Sequence, residues 1–156
     1  MKIYSTSDNG NFKIQSDNKD LLELEYKNSF SSIASTNLDN TEIEIRPKNI
    51  WNSSFDIFHD GKDVGNIIFN WRGDAVITIH NERYLFKAIE WNSKFELLNE
   101  KEEKIVLIIP NYQWEKKKYD YELEIVSKNF DFSRLVELLI YVGFSANLHM
   151  TATLRN

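Results

Sequence analysis

The sequence predicts a mainly β fold: an antiparallel up-and-down barrel of about twelve strands, enclosing one C-terminal hydrophobic helix. Three observations lead there. Apolar and polar residues alternate along most of the first 126 residues. Turn-forming residues punctuate that stretch at short intervals. The last long segment is apolar on nearly every side.

The alternation is cleanest in Tyr119-Asp-Tyr-Glu-Leu-Glu-Ile125. Successive side chains of a strand point to opposite faces, so Tyr119, Tyr121, Leu123 and Ile125 share one face and three carboxylates share the other. Leu22–Tyr26 and Ile43–Ile45 repeat the pattern. One buried and one wet face is the mark of an antiparallel sheet. Further strands are predicted at Lys2–Ser5, Phe12–Gln15, Ser31–Ser35, Phe55–His59, Asn66–Trp71, Ala75–His80, Tyr84–Ile89, Phe95–Leu98 and Ile105–Ile109. Between them lie Asp8-Asn-Gly10, Leu38-Asp-Asn40, Asp60-Gly61, Arg72-Gly73, Asn81-Glu82 and Asn99-Glu100, residue types that close hairpins. Many short strands joined this way curl or close on themselves.

A repeat runs through the middle of the chain. Trp51, Asn52, Ser53 and Phe55 recur 40 residues on as Trp91, Asn92, Ser93 and Phe95, with a weaker third copy near Lys27–Ser32. Three copies are too few for a propeller, so the repeat reads as a duplicated meander within one sheet. Trp71 and Trp114 follow the two full copies, and equivalent positions predict that the four tryptophans pack at one rim.

From Ser133 the pattern changes. Leu135 to Met150 leaves almost no polar stripe after Glu137. Ser133 is the predicted N-cap, with Asp131 and Glu137 placed well for the helix dipole. The helix is predicted over about 133–150. A helix apolar all round must be enclosed. Sixteen residues reach only about 24 Å, short of a bilayer core. The simplest enclosure is the chain's own sheet, and twelve strands give a wide enough cylinder. The whole chain, 1–156, then forms one domain.

A meander of about twelve strands followed by one very apolar helix resembles the tubby-like barrel superfamily, which holds tubby C-terminal domains, phospholipid scramblases and LURP-one-related proteins. The residues that carry the resemblance are Phe55–Gly65, Tyr84–Lys87, Trp91, Phe95–Leu97 and the helix from Ser133 to Met150. It implies a small bacterial member with the helix inside the barrel. An AT-rich bacterial source also fits the 17 Asn and 17 Ile. Tubby domains bind phosphoinositides through basic residues near one barrel end. The Cys-rich and Pro-rich segments of scramblases have no counterpart in a chain with 0 Cys and 2 Pro.

Composition narrows the function classes. A net charge of −5 argues against a nucleic-acid binder. The lack of cysteine excludes thiol catalysis and thiolate metal sites. No signal peptide or transmembrane segment is evident, so the expected location is the cytoplasm, free or at a membrane surface. No nucleophile elbow, phosphate loop or metal-ligand spacing occurs. His59 and His80 fall at strand ends and His149 at the helix end, where each reads as structural. Asp60–Asp63 reads as a hairpin, and Glu100–Lys104 as a solvated turn. The sequence therefore predicts no catalytic residue, no cofactor and no metal.

Lys116-Lys-Lys118, just after Trp114, is the one basic run. It reads either as a charged hairpin tip or as a contact for an anionic lipid or a protein partner. The expected function is a non-enzymatic binding or scaffold domain; the alternative is a phospholipid-associated protein using Trp114 and Lys116–Lys118. A lipocalin-like carrier would need an empty barrel, which the apolar helix contradicts.

Overall fold

The computed structural model describes residues 1–27, 32–51, 53–90 and 93–154, without the side chains of 152–154. Twelve strands run in order: β1 (Lys2–Ser5), β2 (Phe12–Ser16), β3 (Lys19–Tyr26), β4 (Ala34–Leu38), β5 (Thr41–Pro47), β6 (Ser54–His59), β7 (Lys62–Phe69), β8 (Ala75–Ile79), β9 (Glu82–Ile89), β10 (Lys94–Leu98), β11 (Lys104–Gln113) and β12 (Lys118–Ile125). Each pairs antiparallel with its sequence neighbours, and β1 pairs with β12 to close the barrel. In that seam Ile3 stands opposite Tyr121. One helix follows, α1 (Phe132–Leu154).

The alternation acts as the sequence implies. Ile43 and Ile45 of β5, Ile57 of β6, Ile77 of β8 and Phe86 of β9 are buried inward, while Glu44, Asp56 and Lys87 lie on the outer face. Four two-residue turns at one end have both residues at positive φ: Asp17-Asn18, Asp39-Asn40, Asp60-Gly61 and His80-Asn81. That geometry matches the twist of the flanking strands and favours Asn, Asp and Gly. Asp60 ties its turn to the neighbouring strand β5 by accepting the Glu42 backbone N–H at 2.9 Å.

The helix lies inside the barrel. From Leu135 to Ala146 every residue is buried except Glu137, which is partly buried. Phe144 meets Phe55 of β6 edge-on at 4.9 Å and stacks beside Tyr26 of β3. At Gly143 a Cβ would stand 2.6 Å from the Phe12 ring, so the missing side chain lets the helix approach β2. Tyr121 donates to Asn147, and Asn147 donates to the Gly10 carbonyl, tying the later helix to the β1–β2 connection.

Several predicted boundaries shift. The strand expected at Ser31–Ser35 is β4, Ala34–Leu38; Ser31 lies outside the described residues. The strand expected at Asn66–Trp71 is β7, which begins at Lys62 because the turn needs only two residues. It stops before Trp71, where Asn70 Oδ1 accepts the backbone N–H of Arg72 and of Asp74. The helix runs four residues past the predicted end. Its cap is Asp131, not Ser133: Asp131 Oδ1 accepts the Arg134 N–H at 2.9 Å, while the Ser133 hydroxyl donates to Asp39. Capping therefore begins two residues earlier than the serine suggests. Among the described residues no helix is long and apolar enough to cross a membrane.

Candidate functional site

The barrel has two chemically distinct mouths. One carries the connections β1–β2, β5–β6, β7–β8 and β11–β12 and the C-terminal half of α1. Trp51, Trp71 and Trp114 sit in three of those connections and are 79%, 88% and 83% exposed; Ile50 beside Trp51 is 87% exposed. The expectation that the tryptophans pack is thus overturned for these three; Trp91 lies outside the described residues. Trp71 and Trp114, which follow the two full copies of the repeat, do share a rim with Trp51, but all three rings are exposed because the turns hold them beyond the strand ends. Arg72 lies over the Trp71 ring at 5.0 Å, and Trp114 meets Tyr112 edge-on at 4.9 Å.

Lys116, Lys117 and Lys118 sit at the same rim, in and just after the β11–β12 turn, with Lys117 at positive φ. They are not equivalent. Lys116 reaches Asp120 and the Ser5 carbonyl, each at 3.4 Å, and lies over the Tyr4 ring. Lys118 donates to the Asp8 carbonyl at 3.1 Å. The Lys117 side chain is exposed. A pocket of roughly 280 Å³ opens here, lined by Lys117, Lys118, Tyr119, Asn147 and Met150 among others. Basic residues Lys48, Arg72, Lys116 and Lys117 lie in the rim connections with Asp8, Asp74 and Glu115. The acidic turns Asp17, Asp39 and Asp60 lie at the far mouth, so charge is distributed unevenly along the barrel axis.

At the far mouth the helix enters, and Glu137 is the carboxylate it carries inward. His59 at the end of β6 places Nε2 at 2.9 Å from Glu137 Oε2; His80 in the β8–β9 turn places Nε2 at 3.5 Å from Oε1. The two imidazoles meet edge to face at 5.1 Å between centroids. Tyr141, one helical turn after Glu137, donates its hydroxyl to Oε2 at 2.7 Å. Burial, with the adjacent Glu137 charge and hydrogen bond, pushes the Tyr141 phenol far above its ordinary value. It therefore remains a proton donor at any physiological pH. A pocket of roughly 250 Å³ opens over this group, lined also by Asp39, Thr41 and Ser133. A larger, open groove nearby, between residues 99–105 and 126–130, is walled mainly by solvated polar and charged side chains.

Sequence reading treated His59, His80 and Glu137 separately, since no short motif links positions so far apart. Two signals were nonetheless present. Glu137 is a lone carboxylate on a helix destined for enclosure, and such a group needs partners. His80 stands where three sister turns use aspartate. His149 differs from its expectation too: it is not at the helix end but buried against Phe95, with Nδ1 at 2.9 Å from the Gly73 carbonyl. Comparison with protein-family models, curated proteins and solved structures finds no match to this chain.

Proposed function

We propose that this protein is a non-enzymatic binding domain that docks reversibly on anionic membrane surfaces through its tryptophan rim. The observation that carries the reading is the exposure of Trp51, Trp71 and Trp114 on three separate connections at one mouth. Three projecting points spread round the end of a cylinder can all touch a flat surface. Indole suits the bilayer interface, where its apolar body and polar N–H each find their environment. Lysines add about 1 kcal/mol each near an anionic leaflet. Lys117 is the best placed of the three, and the adjoining pocket offers room for a headgroup. The binding is weak and reversible, because no helix inserts. The barrel around a helix also supports a tubby-like relationship, and docking of this kind would put the protein at the cytoplasmic face of a membrane.

Co-sedimentation with vesicles tests the proposal. Phosphatidylcholine vesicles containing phosphatidylserine should retain the protein, retention should fall with added salt, and tryptophan emission should shift to the blue. Trp71→Ala with Trp114→Ala should abolish both signals. Lys116→Glu with Lys117→Glu should weaken partitioning by about tenfold or more. Equal retention of all variants, or none by the native protein, would remove this reading.

A further inference from the structure

We propose that His59, His80 and Glu137 form a site for one first-row divalent metal ion, with Zn²⁺ as the best match. The proposal is independent of membrane docking, since the site lies at the opposite mouth. Two imidazole nitrogens and one carboxylate are a ligand set that zinc sites use when a fourth position stays open. Calcium and magnesium instead require shells dominated by oxygen.

The geometry suits this set. The three ligand atoms lie within 4.8 Å of one another. Around a tetrahedral zinc with bonds near 2.0–2.2 Å, ligand atoms stand about 3.3 Å apart. The observed 2.9 Å from His59 to Oε2 and 3.5 Å from His80 to Oε1 fall on either side of that value, one on each carboxylate oxygen. Each ligand comes from a different element: His59 from a strand end, His80 from a turn and Glu137 from the enclosed helix. Closing the barrel around the helix is what assembles them. The Tyr141 hydroxyl on Glu137 Oε2 is the outer hydrogen bond that orients a carboxylate ligand. The pocket beside Asp39, Thr41 and Ser133 leaves the fourth position open to water.

A plain histidine–carboxylate contact explains less. His59 Nε2 already has the Tyr141 hydroxyl at 3.3 Å as well as Glu137 at 2.9 Å, and His80 at 3.5 Å is too distant for a strong hydrogen bond. Yet His80 occupies a turn position with φ of 51°, filled by Asp17, Asp39 and Asp60 in the sister hairpins. Aspartate suits such turns because its short side chain tolerates the left-handed conformation, and Asp60 also accepts the Glu42 N–H of the neighbouring strand β5. An imidazole at that position, aimed at a carboxylate that already accepts the Tyr141 hydroxyl and has His59 beside it, fits a metal ligand.

Titration of the full chain with Co²⁺ and then Zn²⁺ tests the site. One equivalent of Co²⁺ should give the intense visible absorption of four-coordinate cobalt, and one equivalent of Zn²⁺ should bleach it. His80→Asn keeps a residue that this turn accepts, so it should melt like the native apoprotein yet lose the band. Tyr141→Phe should retain the band and weaken Zn²⁺ affinity by about 10–100-fold. His149 lies at the other mouth, so His149→Gln should leave the Co²⁺ spectrum unchanged in whatever fraction folds. Native protein that takes up no stoichiometric Co²⁺ or Zn²⁺, or a His80→Asn variant that binds as tightly as native, would overturn the assignment.

Discussion

Leu139→Asp is expected to give no cooperatively folded protein. Leu139 is fully buried, in the middle of the enclosed helix, between Leu138 and Ile140, which are also buried. An aspartate there loses the leucine's packing, a cost of about 2–5 kcal/mol for comparable truncations. An unpaired buried carboxylate adds about 3–5 kcal/mol. The sum rivals the ~5–15 kcal/mol that keeps most domains folded. Leu139→Met keeps the volume and should cost less than about 1.5 kcal/mol. Thermal melting followed by circular dichroism separates the two variants. A normal melt for Leu139→Asp would mean the helix is not enclosed.

Gly65→Ala is the second large effect. In β7 a Cβ at this position would stand 2.0 Å from the Thr78 carbonyl oxygen and 3.1 Å from the Ile79 Cα of β8. Those are backbone atoms and cannot rotate away, so β7 and β8 must part. The β6–β7 register shifts between Ile57 and Phe58, next to Gly65, so this stretch is already irregular. In a closed barrel a local parting spreads through the ring, and a loss of about 3 kcal/mol or more is expected. That corresponds to a fall in Tm of roughly 6–12 °C. Gly61→Asn, four residues away, is the control. Gly61 has φ of 83° with nothing near its Cβ position, and three sister turns place Asn there at φ of 62–64°. Its melting point should stay close to native, while that of Gly65→Ala drops.

The fold was legible because enclosure leaves a mark in composition. Ser133–Met150 has no wet stripe, and a cylinder of alternating strands is what covers such a helix. Strand existence followed from period-two patterning, but strand ends did not. β7 begins at Lys62 and Asp63, polar residues that alternation cannot detect. The cap was misassigned because Ser133 and Asp131 are both good caps, and Ser133 turned instead to Asp39, a partner 94 residues away. The tryptophans illustrate the limit of composition. A repeat shows that positions are equivalent, not whether they face inward. Trp71 lies one residue beyond Asn70, whose side chain organises the turn, and that register puts the ring in solvent. His59, His80 and Glu137 come together only through the register of three elements, so local spacing could not reveal them.

The seam between β1 and β12 bears on how the chain is made. Ile3 must wait for Tyr121, and α1 follows later still, so during synthesis a broad, sticky ribbon precedes the filling it needs. Such long-range pairing is slow to form. The growing polypeptide is therefore expected to stay open to chaperones and proteases until α1 has left the ribosome, with closure as a late step.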